Sequence, residues 1–390
     1  MDSVSRLFLA SDHSFLNSIE WAAVTLLSIE GYELAMKKAV LYRKLPSKLV
    51  ECLACSWYCR IAQDRVGVCG TRYNQNGVLY SLVYGKAIGL HLDPVEKKPL
   101  FHFFPGTTLL SFGTVGCNFG CLFCQNWEMS QVNKISNYKL QITNLKQELM
   151  SIIERGSVES SPSEIVRMAL KLGADGIAYT YNEPAIFAEF AHDTAKLAKK
   201  RGLRNVYVSN GFESQEAFEY VKDYLDAINI DLKSFQKDFY MKVCKAKINP
   251  VLENVERFFK SGIETEVTTL IIPGQNDSSE EFGQIAKWLC GISKDIPWHL
   301  SAFYPAYKLM DIPPTPHETL IRAYNIGKKA GLRYVYVGNV LDAVRSSTFC
   351  PKCEKLLVKR VGYEVKITGL DQADGRCRFC REQIYGLWEA

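Results

Sequence analysis

The chain has 390 residues, of which 47% are hydrophobic and 23% are charged, and its formal net charge is +5. This is the composition of a globular protein, and it excludes a disordered or collagen-like chain. The net charge is too small to indicate nucleic-acid binding. At roughly 150 residues per domain, the length predicts two or three domains.

No segment of the sequence predicts a membrane span. The longest apolar run near the start, residues 21–29, is much shorter than the ~20 residues that a spanning helix needs. No basic region precedes it, as a secretory signal requires. We therefore expect a soluble, cytoplasmic protein with reduced thiols, in which close cysteine clusters bind metals.

The N-terminal part of the chain divides into two predicted regions. Residues 1–50 form a helical extension, because residues 14–38 have long apolar stretches and few helix breakers. The basic segment 36–50 is predicted to be a solvated linker. Residues 51–107 contain strand-like runs such as 78–84 and four closely spaced cysteines, namely Cys52, Cys55, Cys59 and Cys69. Zinc and an auxiliary iron–sulfur cluster both fit these cysteines, and we favour zinc.

Residues 108–342 alternate between strand and helix patterns. The strands are short, rich in β-branched residues and followed by polar residues or glycine, which is typical of parallel strands buried on both faces. Six or seven such units predict an α/β fold, a partial or complete (β/α) TIM-like barrel, with a doubly wound open sheet as the alternative. The predicted strands are 108–115, 176–181, 205–209, 227–232, 264–272, 298–304 and 334–337, and the predicted helices are 162–172, 184–201, 214–224, 251–260, 278–290 and 316–329.

Polar residues, glycine or cysteine lie at the ends of the first five predicted strands or directly after them. In a parallel barrel, the carboxyl ends of the strands carry the chemistry. We therefore expect the side chains at these ends to form one site. The residues are Gly116 and Cys117, then Asn182 and Glu183, then Ser209 and Asn210, then Asp231 and Lys233, and finally Gln275, Asn276 and Asp277.

Three cysteines, Cys117, Cys121 and Cys124, follow the first predicted strand with the spacing C-x3-C-x2-C. A structural zinc site needs four ligands, and the next cysteine along the chain is 120 residues away. Three thiolates instead suit a cubane iron–sulfur cluster with one iron that the protein does not ligate. A small molecule with oxygen and nitrogen groups can bind that iron.

This motif, with Phe123 before its last cysteine, resembles the signature of the radical S-adenosylmethionine (SAM) superfamily. The resemblance implies that the three cysteines hold a 4Fe–4S cluster and that SAM binds its open iron. In that family, one electron from the cluster cleaves SAM to methionine and a 5′-deoxyadenosyl radical. The radical then abstracts a hydrogen atom from the substrate.

Further motifs resemble the radical SAM member of the AmmeMemoRadiSam system, a group related to the pyruvate formate-lyase activating enzymes. They include Gly67-Val68-Cys69-Gly70, His102-Phe103-Phe104-Pro105-Gly106, Thr180-Tyr181-Asn182-Glu183-Pro184 and Ile271-Ile272-Pro273-Gly274. One position departs from the activating enzymes, because Val208 replaces an aspartate that contributes to their monovalent-cation site. A bound monovalent cation is therefore not expected.

The resemblance also implies which residues contact SAM. Glu183 matches the acidic residue on the SAM amino group, and Ser209 and Asn210 match a polar pair near the sugar and carboxylate. Asp231 and Lys233 match an Asp-x-Lys pair that faces the SAM pocket, where Lys233 neutralises the methionine carboxylate. Phe123 and Asn182 complete the predicted set. His299 is either a core histidine or a substrate ligand.

The same resemblance implies an electron donor such as ferredoxin or flavodoxin. It also implies a protein partner, either another protein of the AmmeMemoRadiSam system or a glycyl-radical enzyme. The substrate is not determined by the sequence, and a protein substrate is the favoured hypothesis. Two alternatives stay open: an RNA-modifying radical SAM enzyme, and a zinc-ribbon interaction protein on a degenerate barrel.

Residues 343–390 form a predicted zinc-ribbon-like domain. Cys350 and Cys353 make one C-x2-C knuckle, Cys377 and Cys380 make another, and a strand-rich segment, 355–367, lies between them. Such spacing is typical of zinc, with an auxiliary iron–sulfur cluster or free thiols as alternatives. The domain is expected to dock a protein or to close the barrel. Cys244 and Cys290 stand alone and are predicted to be small buried residues.

Overall fold

The computed structural model describes residues 36–131 and 145–389. Most of the predicted N-terminal helix lies outside these residues. Where its last residues were expected, Lys37–Lys38 form a strand instead. Beyond this strand Ala39 and Leu41 are buried while Val40 is exposed, an alternation that suits extended chain better than helix. Lys37 also pairs with Asp193 at 3.2 Å, so the basic segment contacts the main domain there.

Two small antiparallel sheets form the cysteine-rich region. Their strands are Lys37–Lys38 (β1), Tyr42–Lys44 (β2), Val50–Cys52 (β3), Arg60–Ile61 (β4), Arg72–Gln75 (β5) and Val78–Ser81 (β6). One sheet has the order β2-β3-β4 and the other has the order β1-β6-β5. Because β2 pairs with β3, residues on both sides of position 50, the predicted domain boundary, belong to one sheet.

A nine-stranded sheet forms the main domain. It has the order β15-β14-β13-β12-β11-β10-β8-β7-β9, in which β8 and β10 to β15 are parallel. β7 pairs with β8 in the antiparallel direction, and no pairing among the described residues joins β15 to the opposite edge. The strands are Lys86–Pro94 (β7), Thr108–Gly113 (β8), Val158–Glu159 (β9), Gly176–Tyr179 (β10), Arg204–Ser209 (β11), Ala227–Asp231 (β12), Glu264–Ile271 (β13), Trp298–Ala302 (β14) and Val335–Gly338 (β15).

Helices follow the parallel strands, as the alternating pattern predicts. Ser161 caps one of them in a capping box, in which its backbone N–H donates to Glu164 Oε2 at 2.7 Å. The helices are Trp127–Ser130 (α1), Leu145–Gly156 (α2), Pro162–Lys171 (α3), Ala188–Lys200 (α4), Gln215–Val221 (α5), Lys237–Phe239 (α6), Asn249–Lys260 (α7), Ser279–Ile292 (α8) and His317–Ala330 (α9). Short 3-10 segments lie at Pro46–Lys48, Val95–Lys97, Pro184–Phe187 and Lys222–Tyr224, and a π turn lies at Tyr240–Cys244. In the described ranges, no helix has the length and apolar character needed to cross a membrane.

The C-terminal region packs against the amino ends of the parallel strands. Its strands are Thr348–Phe349 (β16), Leu356–Val361 (β17), Glu364–Ile367 (β18), Leu370–Asp371 (β19) and Arg376–Cys377 (β20). Its buried residues form one apolar cluster with Phe101, Tyr334 and Tyr336 of the main domain. Leu387 N donates to His102 O, and Phe104 N donates to Leu387 O, both at 2.7 Å. The region therefore lies at the opposite end of the sheet from the carboxyl ends of the strands.

Candidate functional site

The three cysteines of the C-x3-C-x2-C motif lie on the loop between β8 and α1, at the carboxyl edge of the sheet. Cys117 and Cys121 are buried, whereas Cys124 is half-buried. Gly116 begins the loop with a φ of +90°, and a Cβ there would lie 2.5 Å from the carbonyl oxygen of Cys69. Glycine is therefore required where this loop meets the cysteine-rich region.

Asn182, which follows β10, fixes the start of this loop. Its Nδ2 donates to the carbonyl oxygens of Thr114 and Gly116, both at 2.8 Å, and its Oδ1 accepts the Thr114 N–H at 3.3 Å. Further along the loop, the Gly120 N–H donates to the carbonyl oxygen of Cys244 at 2.9 Å. The conformation of the loop is thus held by residues from distant parts of the chain.

Asn210, which follows β11, reaches the same loop. Its Nδ2 donates to Asn118 Oδ1 at 2.8 Å and lies 3.9 Å from Cys117 Sγ. Its own backbone N–H donates to Glu183 Oε2 at 2.8 Å. The third predicted strand end therefore meets the three-cysteine loop, as expected.

Glu183 is completely buried, and its carboxylate is held by protein groups. It accepts hydrogen bonds from the backbone N–H groups of Ala185 and Asn210, and it lies 3.1 Å from the Ser209 hydroxyl. Burial and the nearby carboxylate of Glu213 raise the pKa of Glu183 well above its usual range. In these contacts Glu183 anchors Asn210, and its predicted contact with the SAM amino group stays a prediction.

Lys233 lies on the other side of the three-cysteine loop. Its Nζ forms an ion pair with Asp231 Oδ2 at 2.8 Å and lies 5.7 Å from the centre of the Phe123 ring. Burial lowers the pKa of Lys233, but the charges of Asp231 and Cys121 outweigh this effect and raise it. The ammonium group therefore stays charged beside a sulfur ligand.

Sequence reasoning missed three residues of this site. Glu213 accepts a hydrogen bond from Ser209 Oγ at 2.7 Å, although nothing in the sequence distinguishes it from a surface acid. Ser130 Oγ lies 3.1 Å from Cys124 Sγ. Asn118 binds Asn210, and its position inside the cysteine motif was the one available signal.

This arrangement suits an iron–sulfur cluster. Within the residues described, the sulfurs of Cys117, Cys121 and Cys124 do not form a group with all ligand atoms within 4.8 Å of one another, as one metal ion would require. Three ligands also leave the shell of a structural zinc ion incomplete. An amide donor near Cys117 and a cation near Cys121 suit the negative charge of a thiolate-bound cluster.

The four C-terminal cysteines form a different kind of group. The sulfurs of Cys350, Cys353, Cys377 and Cys380 all lie within 4.8 Å of one another. Two of their separations are 3.5 Å, from Cys350 to Cys380, and 3.6 Å, from Cys353 to Cys377. A tetrahedral zinc ion with bonds of about 2.3 Å to sulfur needs separations of about 3.8 Å. The donor set fits zinc, whose presence stays a prediction.

The remaining candidates lie elsewhere. His299 is a core histidine: it is buried, its Nε2 lies 2.5 Å from Glu266 Oε2, and its ring stacks on Tyr336. Cys244 is buried as predicted, whereas Cys290 is half-buried. Cys52, Cys55, Cys59 and Cys69 line a cavity next to the three-cysteine loop.

Comparison with known proteins agrees with this geometry. The model of the radical SAM superfamily matches residues 112–289. An uncharacterized protein of Methanocaldococcus jannaschii is 41% identical over 350 residues, which is 90% of this chain and 99% of that protein. The pyruvate formate-lyase 1-activating enzyme of Escherichia coli is 20% identical over 245 residues, 60% of this chain and 93% of that enzyme.

Among solved structures, a radical SAM methyltransferase from Sphaerobacter thermophilus aligns with a TM-score of 0.43 and 16% identity, over 65% of this chain and 71% of that one. The family model covers the end of β8, the three-cysteine loop and the strand ends that contact it. The chain belongs to the radical SAM superfamily.

Proposed function

We propose that the chain is an enzyme that cleaves SAM reductively and abstracts a hydrogen atom from a protein substrate. Cys117, Cys121 and Cys124 would hold a 4Fe–4S cluster with an open iron. When bound, this cluster supplies the electron that splits SAM into methionine and a 5′-deoxyadenosyl radical. The observation that carries the proposal is the convergence of Asn210 and Lys233, from two different strand ends, on the three-cysteine loop.

The residues around the loop would bind and orient SAM. The side chain of Lys233 is 12% exposed, and its ammonium group offers a cation for the methionine carboxylate. Asp231 is more exposed, at 33%, and keeps Lys233 in place. Glu183 would position Asn210 through the backbone hydrogen bond, while the Asn210 side chain stays directed at the cysteine loop.

Exposed apolar side chains near this edge support a protein substrate. Tyr304 and Met310, after β14, and Leu341 and Val344, after β15, are between 39% and 71% exposed. The loop after β14 also reaches the cysteine loop, because the Lys308 N–H donates to the carbonyl oxygen of Leu122 at 2.9 Å. Apolar groups grouped around a site are typical of protein docking surfaces.

The partners follow from this proposal. The similarity to the E. coli activating enzyme supports a protein partner that receives a radical. We propose a glycyl-radical enzyme or another protein of the AmmeMemoRadiSam system in this role, with ferredoxin or flavodoxin as the electron donor in the cytoplasm. At the other end of the sheet, the C-terminal cysteines would hold one zinc ion.

SAM cleavage tests the proposal directly. Anaerobically reconstituted protein with dithionite and SAM should produce 5′-deoxyadenosine, and the triple variant Cys117→Ala, Cys121→Ala, Cys124→Ala should produce none. The variant Cys290→Ala is the matched control, since this cysteine lies on α8 outside the site. Undiminished cleavage by the triple variant would contradict the assignment.

The protein substrate needs a second experiment. A candidate glycyl-radical partner, incubated with the active enzyme and SAM, should develop a glycyl-radical signal by electron paramagnetic resonance (EPR). The variant Met310→Asp should weaken this transfer and leave cleavage of SAM without partner unchanged. If Met310→Asp affects neither reaction, the loop after β14 is not the docking surface.

A further inference from the structure

The four cysteines of the N-terminal region surround a single cavity. Cys52, Cys55, Cys59 and Cys69 line it, and all four are free thiols. Three of them are buried, and they come from β3, from the loop between β3 and β4, and from the turn before β5. Four thiols that line one cavity of a protein with reduced cysteines indicate a metal centre.

The spread of these thiols distinguishes them from the C-terminal group. All four N-terminal cysteines belong to the described residues, and no three of their sulfurs lie within 4.8 Å of one another. By contrast, all four C-terminal sulfurs, those of Cys350, Cys353, Cys377 and Cys380, lie within 4.8 Å of one another. A single zinc ion draws its four sulfurs to about 3.8 Å. A four-iron cluster keeps its thiolates further apart, because each thiolate binds a different iron.

Two buried donors at the cavity support the same conclusion. Arg72 is 1% exposed, and its Nη1 and Nη2 donate to Glu189 and to the carbonyl oxygen of Ala185, but its Nε has no hydrogen-bond partner. Asn118 Nδ2 is also buried without a partner. Both residues line the cavity. Buried donors without partners are rare, and sulfur atoms of a cluster would accept hydrogen bonds from them.

We propose that this cavity holds a second 4Fe–4S cluster, ligated by Cys52, Cys55, Cys59 and Cys69. All four of its irons have a protein ligand, so it does not bind SAM. It lies next to the three-cysteine loop, because Trp57 Nε1 donates to the carbonyl oxygen of Asn118 at 2.9 Å. This inference replaces the zinc ion that the spacing alone favours, and it does not depend on the proposed function.

The proposal is tested in the full chain after the three cysteines of the three-cysteine loop have been replaced, so that only the second cluster can form. The triple variant Cys117→Ala, Cys121→Ala, Cys124→Ala, reconstituted anaerobically with ferrous iron and sulfide, should keep about four irons and four sulfides per chain, half of the wild-type content. After reduction, its EPR signal should not change when SAM is added. Adding Cys55→Ser to this variant should remove the sulfide, whereas adding Cys290→Ser should not.

Two results would overturn the proposal. In the first, the triple variant is folded, as circular dichroism shows, but holds no sulfide. This result refutes the cluster whether or not the variant binds a second zinc ion in addition to the one expected at the C-terminal cysteines. The second is measured on the reduced wild-type protein by EPR, and this measurement also tests the proposal if the triple variant fails to fold. Adding SAM should alter the EPR signal of only one of the two clusters, which is half of the iron. If SAM alters the signal of all the iron, the second cluster is refuted.

Discussion

The hydrogen bonds of Asn182 predict the effect of a single substitution on the three-cysteine loop. Asn182→Ala removes two 2.8 Å donations to the buried carbonyl groups of Thr114 and Gly116 and leaves both carbonyls without this donor. At about 1 kcal/mol per bond, plus the penalty for buried groups left unpaired, opening of the loop becomes easier by about 3 kcal/mol. Because 1.4 kcal/mol is a factor of ten, this corresponds to roughly 100-fold.

Hydrogen–deuterium exchange measures this opening. In the reconstituted full chain, backbone amides of residues 114–124 should exchange roughly 100-fold faster in Asn182→Ala, and a chelator should remove iron faster. Asn126→Ala is the matched control, because Asn126 is exposed and donates one 2.8 Å hydrogen bond to the carbonyl oxygen of Tyr181. Its effect should stay below about tenfold. Equal exchange in the two variants would refute the role of Asn182 as the clamp of the loop.

Three further substitutions test other parts of the structure. Burial lowers the pKa of His102 to about 4, so this histidine resists protonation in the folded protein. The free energy of unfolding should therefore fall as the pH falls from about 6.5 to 4. Over the same pH range, the melting temperature of His102→Gln should fall less than that of the wild type. Burial raises the pKa of Glu183 well above 4.5, so the free energy of unfolding should decline as the pH rises above about 4.5. Glu183→Gln should flatten this decline, and an identical pH profile in the variant would contradict the raised pKa. Cys377→Ser should lower the zinc content by about one ion per chain and leave SAM cleavage nearly intact. It should also lower the melting temperature of the whole chain, since the ribbon shares a core with Tyr336.

The parallel strands and their polar ends could be predicted because each is a local pattern. A short, mostly buried run that ends at or just before Asn182, Asn210 or Asp231 indicates both the strand and the end of the strand at which polar side chains lie. The two C-x2-C knuckles are equally local, and the structure brings their four sulfurs together.

The missed features depend on contacts between distant segments. Glu213 is recognisable only when the loops after β10 and β11 bring it beside Glu183. The sequence predicts helix at β1, because two residues are too few to show the period of a strand and the pairing partner, β6, lies some 40 residues further along the chain. The spread of the N-terminal cysteines likewise depends on how two small sheets pack, which spacing along the chain does not encode.

The contact between Leu387 and the segment 102–104 has a consequence for biosynthesis. A ribosome makes the aromatic residues Phe101, Phe103 and Phe104 about 280 residues before the tail that covers them, an interval of about 15–60 s. Throughout that time the amino end of the nascent sheet lacks its cover. The growing chain should therefore be prone to aggregation, and dependent on chaperones, until the segment around Leu387 has left the ribosome and covers these residues.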